Sequence, residues 1–293
     1  MSHQVPTRKI TVTEIAEKKR RGERIVMLTA YDYPTGRALD EAGVDMILVG
    51  DSLGMVVGGL DSTLPVTMDM MIYHTRMVAR GRRRSLLVGD MPYMSYHVNQ
   101  SKAVENAARF VQDGGAEAVK IEGGRKRIST IRAILAAEIP VMGHIGLTPQ
   151  SINVMGGYKV QGRTKGPAQK LIDDALHLED TGVFSIVLEG VPAELAAEIT
   201  SRLAIPTIGI GAGRGCDGQV LVIHDLLGFT DKPMAKFVRV YRNYFVDIQK
   251  AVAEFRADVE NGSFPADQES YHMAPGQELG GDPLRIASSG GRG

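Results

Sequence analysis

The 293-residue sequence predicts an α/β fold of the TIM (β/α)8 barrel type. Four apolar runs stop on a carboxylate: Ile47-Leu48-Val49-Gly50 on Asp51, Leu86-Leu87-Val88-Gly89 on Asp90, Ala118-Val119-Lys120-Ile121 on Glu122, and Ile186-Val187-Leu188 on Glu189. Short β-branched runs without polar alternation read as strands buried on both faces, hence as a parallel sheet. Eight such strand candidates alternate with helix candidates over roughly 250 residues, the arithmetic of a closed barrel. Acids spread over many strand ends favour the barrel over a doubly wound open sheet, whose ligands gather at one crevice.

Thr11 to Arg21 is the first predicted helix; Thr11 and Glu14 have capping-box spacing, and Gly22 is the stop. Because it precedes the first strand, this helix is expected to plug the bottom of the barrel. The predicted strands are 25–30, 46–50, 85–89, 116–121, 140–143, 184–188, 206–210 and 220–223. The predicted helices between them are 35–42, 67–80, 101–112, 128–137, 168–180 and 193–202. Gly43, Gly81, Gly114 and Gly182 close four of these helices. The connection Gln150 to Gly166 is too long for a minimal unit and is expected to cover the site, with Tyr158 to Gln161 as a small hairpin. Ala235 to Glu260 reads as a helix with an apolar stripe, packing against the barrel or a neighbouring subunit. One barrel domain over 1–262 is expected, with the Gly-, Pro- and Ser-rich residues 263–293 as a flexible tail.

Lys plus Arg total 34 and Asp plus Glu total 34, and there is no Trp, so nothing favours nucleic acid or an anionic membrane. The clusters Lys18-Lys19-Arg20-Arg21, Arg80 with Arg82-Arg83-Arg84, and Arg125-Lys126-Arg127 are read as solvated helix ends, the first two complementing helix dipoles. No apolar run has membrane-spanning length, and no signal-peptide h-region precedes the first helix. A lone cysteine, Cys216, excludes an intrachain disulfide and is taken as a packing residue. A cytoplasmic location is the default expectation.

Charges at strand ends are costly to bury unless paired or metal-bound. Asp51 and Asp90 follow adjacent strands about 4.8 Å apart, so their carboxylates are placed to share a hard cation such as Mg²⁺. Lys120 and Glu122, two apart on one strand, share a face. The lysine is placed to hold a substrate carboxylate or, if desolvated, to form a Schiff base. The alternative for this pair is a buried ion pair. Glu122 is a further candidate metal ligand, direct or through water. Glu189 is a candidate base, with a salt bridge at the barrel mouth as its alternative. His144, after the fifth strand, is a candidate site residue; His97 and His224 are weaker ones. The string Ile208 to Gly218, rich in glycine, leads into a strand and not a long helix, so close approach of a flat ligand to bare backbone is a better reading than a dinucleotide loop.

Taken in order, Asp51-Ser52-Leu53-Gly54, Gly89-Asp90-Met91-Pro92, Lys120-Ile121-Glu122-Gly123-Gly124, Gly143-His144-Ile145-Gly146-Leu147-Thr148-Pro149, Gly156-Gly157-Tyr158-Lys159-Val160-Gln161-Gly162-Arg163, Leu188-Glu189-Gly190-Val191-Pro192 and Gly209-Ile210-Gly211-Ala212-Gly213 resemble the ketopantoate hydroxymethyltransferase family, from about Thr11 to Glu260. The resemblance implies a barrel of the phosphoenolpyruvate/pyruvate-binding type, assembled as a homodecamer. It implies transfer of a one-carbon unit from 5,10-methylenetetrahydrofolate to the ketoacid 3-methyl-2-oxobutanoate, giving 2-dehydropantoate in pantothenate synthesis. It places Mg²⁺ on Asp51, Asp90 and Glu122, with Glu122 acting through water. The ketoacid falls to Asp51, Ser52, Asp90 and Lys120, proton removal to Glu189, and a supporting role to His144. The rival readings are a Mg²⁺-dependent lyase cleaving a C–C bond of a 2-oxo acid, and a non-catalytic barrel that binds ketoacids.

Overall fold

The structure, a computed structural model, describes residues 8–231 and 233–277. Residues 12–243 hold the barrel. Its elements are α1 (Val12–Arg20), β1 (Ile25–Thr29), α2 (Tyr33–Glu41), β2 (Met46–Val49), α3 (Leu53–Val56), α4 (Met68–Gly81), β3 (Leu86–Asp90), α5 (Gln100–Gln112), β4 (Ala118–Glu122), α6 (Ile128–Ala136), β5 (Val141–Gly146), α7 (Ile152–Met155), α8 (Lys165–Thr181), β6 (Ser185–Glu189), α9 (Ala193–Arg202), β7 (Thr207–Ile210), β8 (Gly218–Leu221) and α10 (Ile223–Leu227). All eight strands are parallel and close in sequence order, β8 pairing back to β1. The chain divides into two compact units, Met1–Asn243 and Tyr244–Gly293. In the second, α11 (Tyr244–Asn261) has no buried residue, and Ile248, Val252 and Phe255 are exposed. The predicted tail after 262 falls partly outside the described residues; residues 263–277 are exposed and hold one 3₁₀ turn, Asp267–Glu269.

Strand periodicity divides the core in two. Met46, Leu48, Leu86, Val88, Ala118, Met142, Val187, Ile208 and Val220 fill the barrel interior. The alternate residues Ile47, Val49, Leu87, Val119, Ile121, Ile186 and Leu188 face the helices. The same parity carries Asp90, Lys120, Glu122 and His144 into the interior, above the apolar layers, because successive strand residues point to opposite faces. Strands β2 to β5 are buried throughout, as expected. Strand β1 is not: Val26 is 48% exposed, because β8 is followed only by the five-residue α10.

Helix α1 plugs the bottom of the barrel. Ile10 and Ile15 are buried among the lower interior residues. Thr11 Oγ1 accepts from Glu14 N at 3.3 Å, but the Glu14 carboxylate pairs with Arg21 at 2.7 Å, so only half of the capping box forms. Part of the basic sequence is structural here, contrary to a solvated-end reading. Lys18 binds Asp45 at 2.9 Å and Lys19 binds Asp217 at 3.0 Å, while Asp45 and Asp217 accept from Val26 N and Thr207 N. Arg84 is buried and donates to Val44 O at 2.6 Å.

Asp40, on α2, ties that helix to the start of β3. Its carboxylate accepts from Arg83 N, Arg84 N, Ser85 N and Ser85 Oγ at 2.6–3.1 Å. Burial pushes the carboxyl up, but these donors outweigh it and hold it below the usual range. Its stabilisation is therefore present above the unfolded-state pKa and is lost as pH falls through the folded one. Asp40→Asn is expected to cost about 1–3 kcal/mol near neutrality, and the deficit narrows in acid. Denaturant melts of both proteins at several pH values check this; a deficit independent of pH counts against it.

Two predicted elements differ from the structure. No hairpin forms at 158–161. Instead a short 3₁₀ turn, Pro149–Ser151, and α7 are followed by an extended stretch whose Gln161 N donates to Gly190 O at 2.8 Å. The long C-terminal helix starts at Tyr244, not Ala235, because the preceding backbone bonds elsewhere: Tyr241 N donates to Leu226 O at 2.8 Å.

Candidate active site

The C-terminal ends of the strands surround a cavity of about 870 Å³. Asp51, Ser52, Asp90, Lys120, Glu122, His144 and Glu189 all line it, whereas the weaker candidates His97 and His224 do not and pack instead against Tyr93 and Tyr96 and against Tyr31 and Phe229. Register accounts for the closest pairs. Asp90 lies opposite Lys120, and Glu122 opposite His144, in adjacent strands. Lys120 Nζ is 2.7 Å from Asp90 Oδ1, 3.3 Å from His144 Nδ1 and 3.9 Å from Glu122 Oε1. His144 bridges two acids: Nδ1 is 3.5 Å from Glu122 Oε1, and Nε2 is 3.2 Å from Glu189 Oε2. Asp51 N donates to Asp90 Oδ2 at 3.2 Å.

A layer that sequence reasoning missed holds these acids. Gln150 Nε2 donates to Asp51 Oδ2 and to Met91 O, both at 2.9 Å, and its backbone N donates to Glu122 Oε2 at 3.0 Å. Tyr96 donates to Gln150 Oε1 at 2.7 Å, and Arg127 stacks on the Tyr96 ring at 5.5 Å. Tyr31, just past β1, bonds Ser52 Oγ at 2.8 Å. The position of Tyr31 after an apolar strand was a usable signal. Gln150 sits a turn beyond the fifth strand, and only the fold brings it back to Asp51. Gly146, at φ +98°, permits the close β5–β6 approach: a Cβ there would meet Glu189 O at 2.2 Å.

Gly211 and Gly213 of the glycine string line the cavity, while the space where their side chains would stand is taken by the protein itself. A Cβ on Gly211 would meet the Phe237 ring at 2.8 Å, one on Gly213 would meet Ala193 at 2.4 Å, and one on Gly215 would meet Ala197 at 2.8 Å. The glycines admit the chain's own α9 and Phe237. Cys216 is buried, as expected.

Electrostatics follow from three buried carboxylates around one ammonium. Burial, then Asp90 and Glu122, raise Asp51 well above the usual carboxylate range. Burial, with Glu122 against it and Lys120 in its favour, also leaves Asp90 raised. Glu122 is lowered: burial opposes its charge, but His144, Lys120 and Gln150 N outweigh burial. Lys120 is raised, because Asp90, Glu122 and Asp51 outweigh the cost of burying it. With Asp90 at 2.7 Å this favours the ammonium and the ion-pair reading of Lys120 over the Schiff base. Burial and Lys120 lower His144, but Glu122 and Glu189 outweigh both and bring it to about 9.

The donor set suits a hard divalent cation. Burial raises both Asp51 and Asp90, with Asp90 and Glu122 adding to the first and Glu122 to the second, and Asp90 Oδ1 has the Lys120 ammonium as its one close partner among the described residues. No three His, Cys, Asp or Glu residues among those described form a closed ligand set. Mg²⁺ does not require one: it binds through one or two carboxylates and fills its other positions with substrate oxygens and water.

A sequence model of the ketopantoate hydroxymethyltransferase family matches residues 9–267. The chain is 56% identical over 265 residues to a 3-methyl-2-oxobutanoate hydroxymethyltransferase of Koribacter versatilis (strain Ellin345), covering 90% of each chain. It is 56% identical over 264 residues to the enzyme of that name from Geobacter metallireducens (strain ATCC 53774 / DSM 7210 / GS-15), covering 90% of this chain and 99% of the other. Among solved structures it resembles a phosphonopyruvate hydrolase complex with oxalate and Mg²⁺, at TM-score 0.58 and 12% identity, covering 89% and 93% of the two chains. It also resembles 2,3-dimethylmalate lyase, of the PEP mutase/isocitrate lyase superfamily, at TM-score 0.53 and 17% identity, covering 90% and 91%. At these identities the structural likeness bears on the fold alone.

Proposed function

The chain belongs to the ketopantoate hydroxymethyltransferase family, and from that premise we propose how its barrel rim works. It is a transferase that delivers a hydroxymethyl group to 3-methyl-2-oxobutanoate in pantothenate synthesis. Family membership disfavours the lyase and the silent ketoacid binder. The one-carbon donor in this reading is 5,10-methylenetetrahydrofolate.

The observation that carries the mechanism is the contact of His144 with both Glu122 and Glu189, which joins the candidate base to the acid cluster. Asp51 and Asp90 would hold Mg²⁺, with Glu122 as a further, indirect ligand; when bound, the cation would supply Lewis acidity that stabilises negative charge on the ketoacid. Ser52 and the Lys120 ammonium face the substrate carboxylate, with Tyr31 fixing the serine. Glu189 takes the C3 proton, and the C–H electron pair moves into the C2–C3 bond as an enolate. His144 Nε2 orients the Glu189 carboxylate. The methylene carbon exchanges its two bonds to folate nitrogen for one bond to C3 and one to the hydroxyl of a water; the proton taken from C3 and the remaining proton of that water end on the two nitrogens, leaving tetrahydrofolate. The cavity walls Leu147, Val187 and Val191 exclude bulk water from the reacting carbon.

The test of this reading is C3 deuterium exchange of the ketoacid with Mg²⁺ and no folate, followed by product formation once the methylene donor is added. Exchange that never leads to product removes the transferase chemistry. Asp51→Asn is expected to raise the melting temperature of the metal-free protein, by relieving repulsion with Asp90. It should also abolish the stabilisation by Mg²⁺, about 2.7 kcal/mol at 100 times Kd. An undiminished Mg²⁺ effect in that variant removes Asp51 as a ligand.

A further inference from the structure

The cavity is much larger than a small ketoacid requires; its 870 Å³ lies in the range that encloses a drug-sized ligand. The acids occupy the β2–β6 side. The wall built by β7, β8 and the loop beyond α10 is apolar, lined by Ile210, Val220, Leu221, Val222 and Phe237. Two charged side chains interrupt it, the exposed Lys236 and the half-buried Asp225 on α10.

Asp225 is held firmly. Thr29 Oγ1, at the end of β1, accepts from Ile223 N at 2.9 Å and pins α10 to the rim. The neighbouring His224 stacks on Phe229 with centroids 5.4 Å apart and tilts against Tyr31 at 5.5 Å. Yet no described residue hydrogen-bonds or ion-pairs with the Asp225 side chain, and burial alone raises its carboxyl. A half-buried carboxylate left without donors is costly in a folded protein. In a ligand cavity it marks the place where a ligand brings the donors.

Resting on the folate reading above, we infer that Asp225 is the specificity residue for the donor's pterin, accepting its N3–H and 2-amino hydrogens, with Phe237 and Ile210 against the ring. Two N–H groups side by side on one planar edge match a carboxylate's two oxygens, as an arginine fork does. The acid cluster has no oxygen pair free for this role. Asp51 is engaged by Gln150, Asp90 by Lys120, and Glu122 by Gln150 N and His144. Lys159 and Lys236, exposed where they line the cavity, suit the anionic glutamyl end of the same molecule.

The test compares the full chain and Asp225→Asn in calorimetric titrations with tetrahydrofolate and with an analogue whose 2-amino group is replaced by methyl. The wild type should prefer tetrahydrofolate to the analogue by at least about 10-fold. Asp225→Asn should bind tetrahydrofolate about 10–100-fold more weakly and lose the preference. Its ketoacid affinity should change by far less than its folate affinity. A variant that keeps the preference, or whose folate and ketoacid affinities fall by one common factor, overturns the assignment alone. A wild type that binds no tetrahydrofolate overturns the donor reading as well.

Discussion

Glu189→Gln is expected to slow solvent exchange of the ketoacid C3 proton by about 10²–10⁴-fold, the usual contribution of a positioned base. The amide matches the carboxylate in shape, so His144 keeps a partner at Nε2 and the cluster of Asp51, Asp90, Glu122 and Lys120 is untouched. Mg²⁺ and ketoacid should therefore bind the variant nearly as they bind the wild type. Proton NMR in deuterated buffer reads the exchange, and calorimetry reads the two affinities. Exchange at the wild-type rate would assign the base elsewhere. Loss of exchange together with loss of ketoacid binding would make Glu189 a binding group instead.

Lys120→Met is expected to destabilise the metal-free protein by about 3–5 kcal/mol, the cost of leaving buried charge without its partner. Lys120 is the one ammonium among Asp51, Asp90 and Glu122, and it lies 2.7 Å from Asp90. Its own pKa is raised, so its contribution is complete below the unfolded-state lysine pKa and persists through neutrality. Removing it drives the three carboxyls further up, so the native variant binds more protons than its unfolded chain above the ordinary carboxylate range. Its stability should then fall as pH rises through that window, and the deficit against the wild type should be smallest in acid. Urea melts at acid and alkaline pH measure this. Equal stability of the two proteins at neutral pH would mean that the acids are neutralised in another way.

Buried strands were legible because their apolar runs lack polar interruption, and period two then sets Asp90, Lys120, Glu122 and Glu189 on the inner face. The convergence of Asp51, Glu122 and Glu189 followed from barrel closure alone. What stayed hidden depends on contacts between distant residues. Gln150 is an ordinary residue after a proline until the barrel brings it to Asp51. Asp225 carries no motif, and only the emptiness around its carboxylate marks it. The apolar spacing of Phe237, Val238 and Tyr241 mimics a helix, yet Phe237 fills the space beside Gly211 and Tyr241 N turns to Leu226 O. Tertiary packing outweighs local periodicity there. The glycine string hid a second role in the same way: Gly211 and Gly213 line the cavity and also make room for Phe237 and Ala193.

The two ends of the barrel divide their labour. At the α1 end, Lys18–Asp45 and Lys19–Asp217 are one-to-one pairs joining a helix to strand starts. At the opposite end, like charges crowd together, and Leu48, Val88 and Val187 lie between the two sets. Heat tolerance and turnover can therefore be engineered separately. Strengthening the plugged end should harden the protein without slowing it, whereas neutralising the crowded end should trade catalysis for robustness.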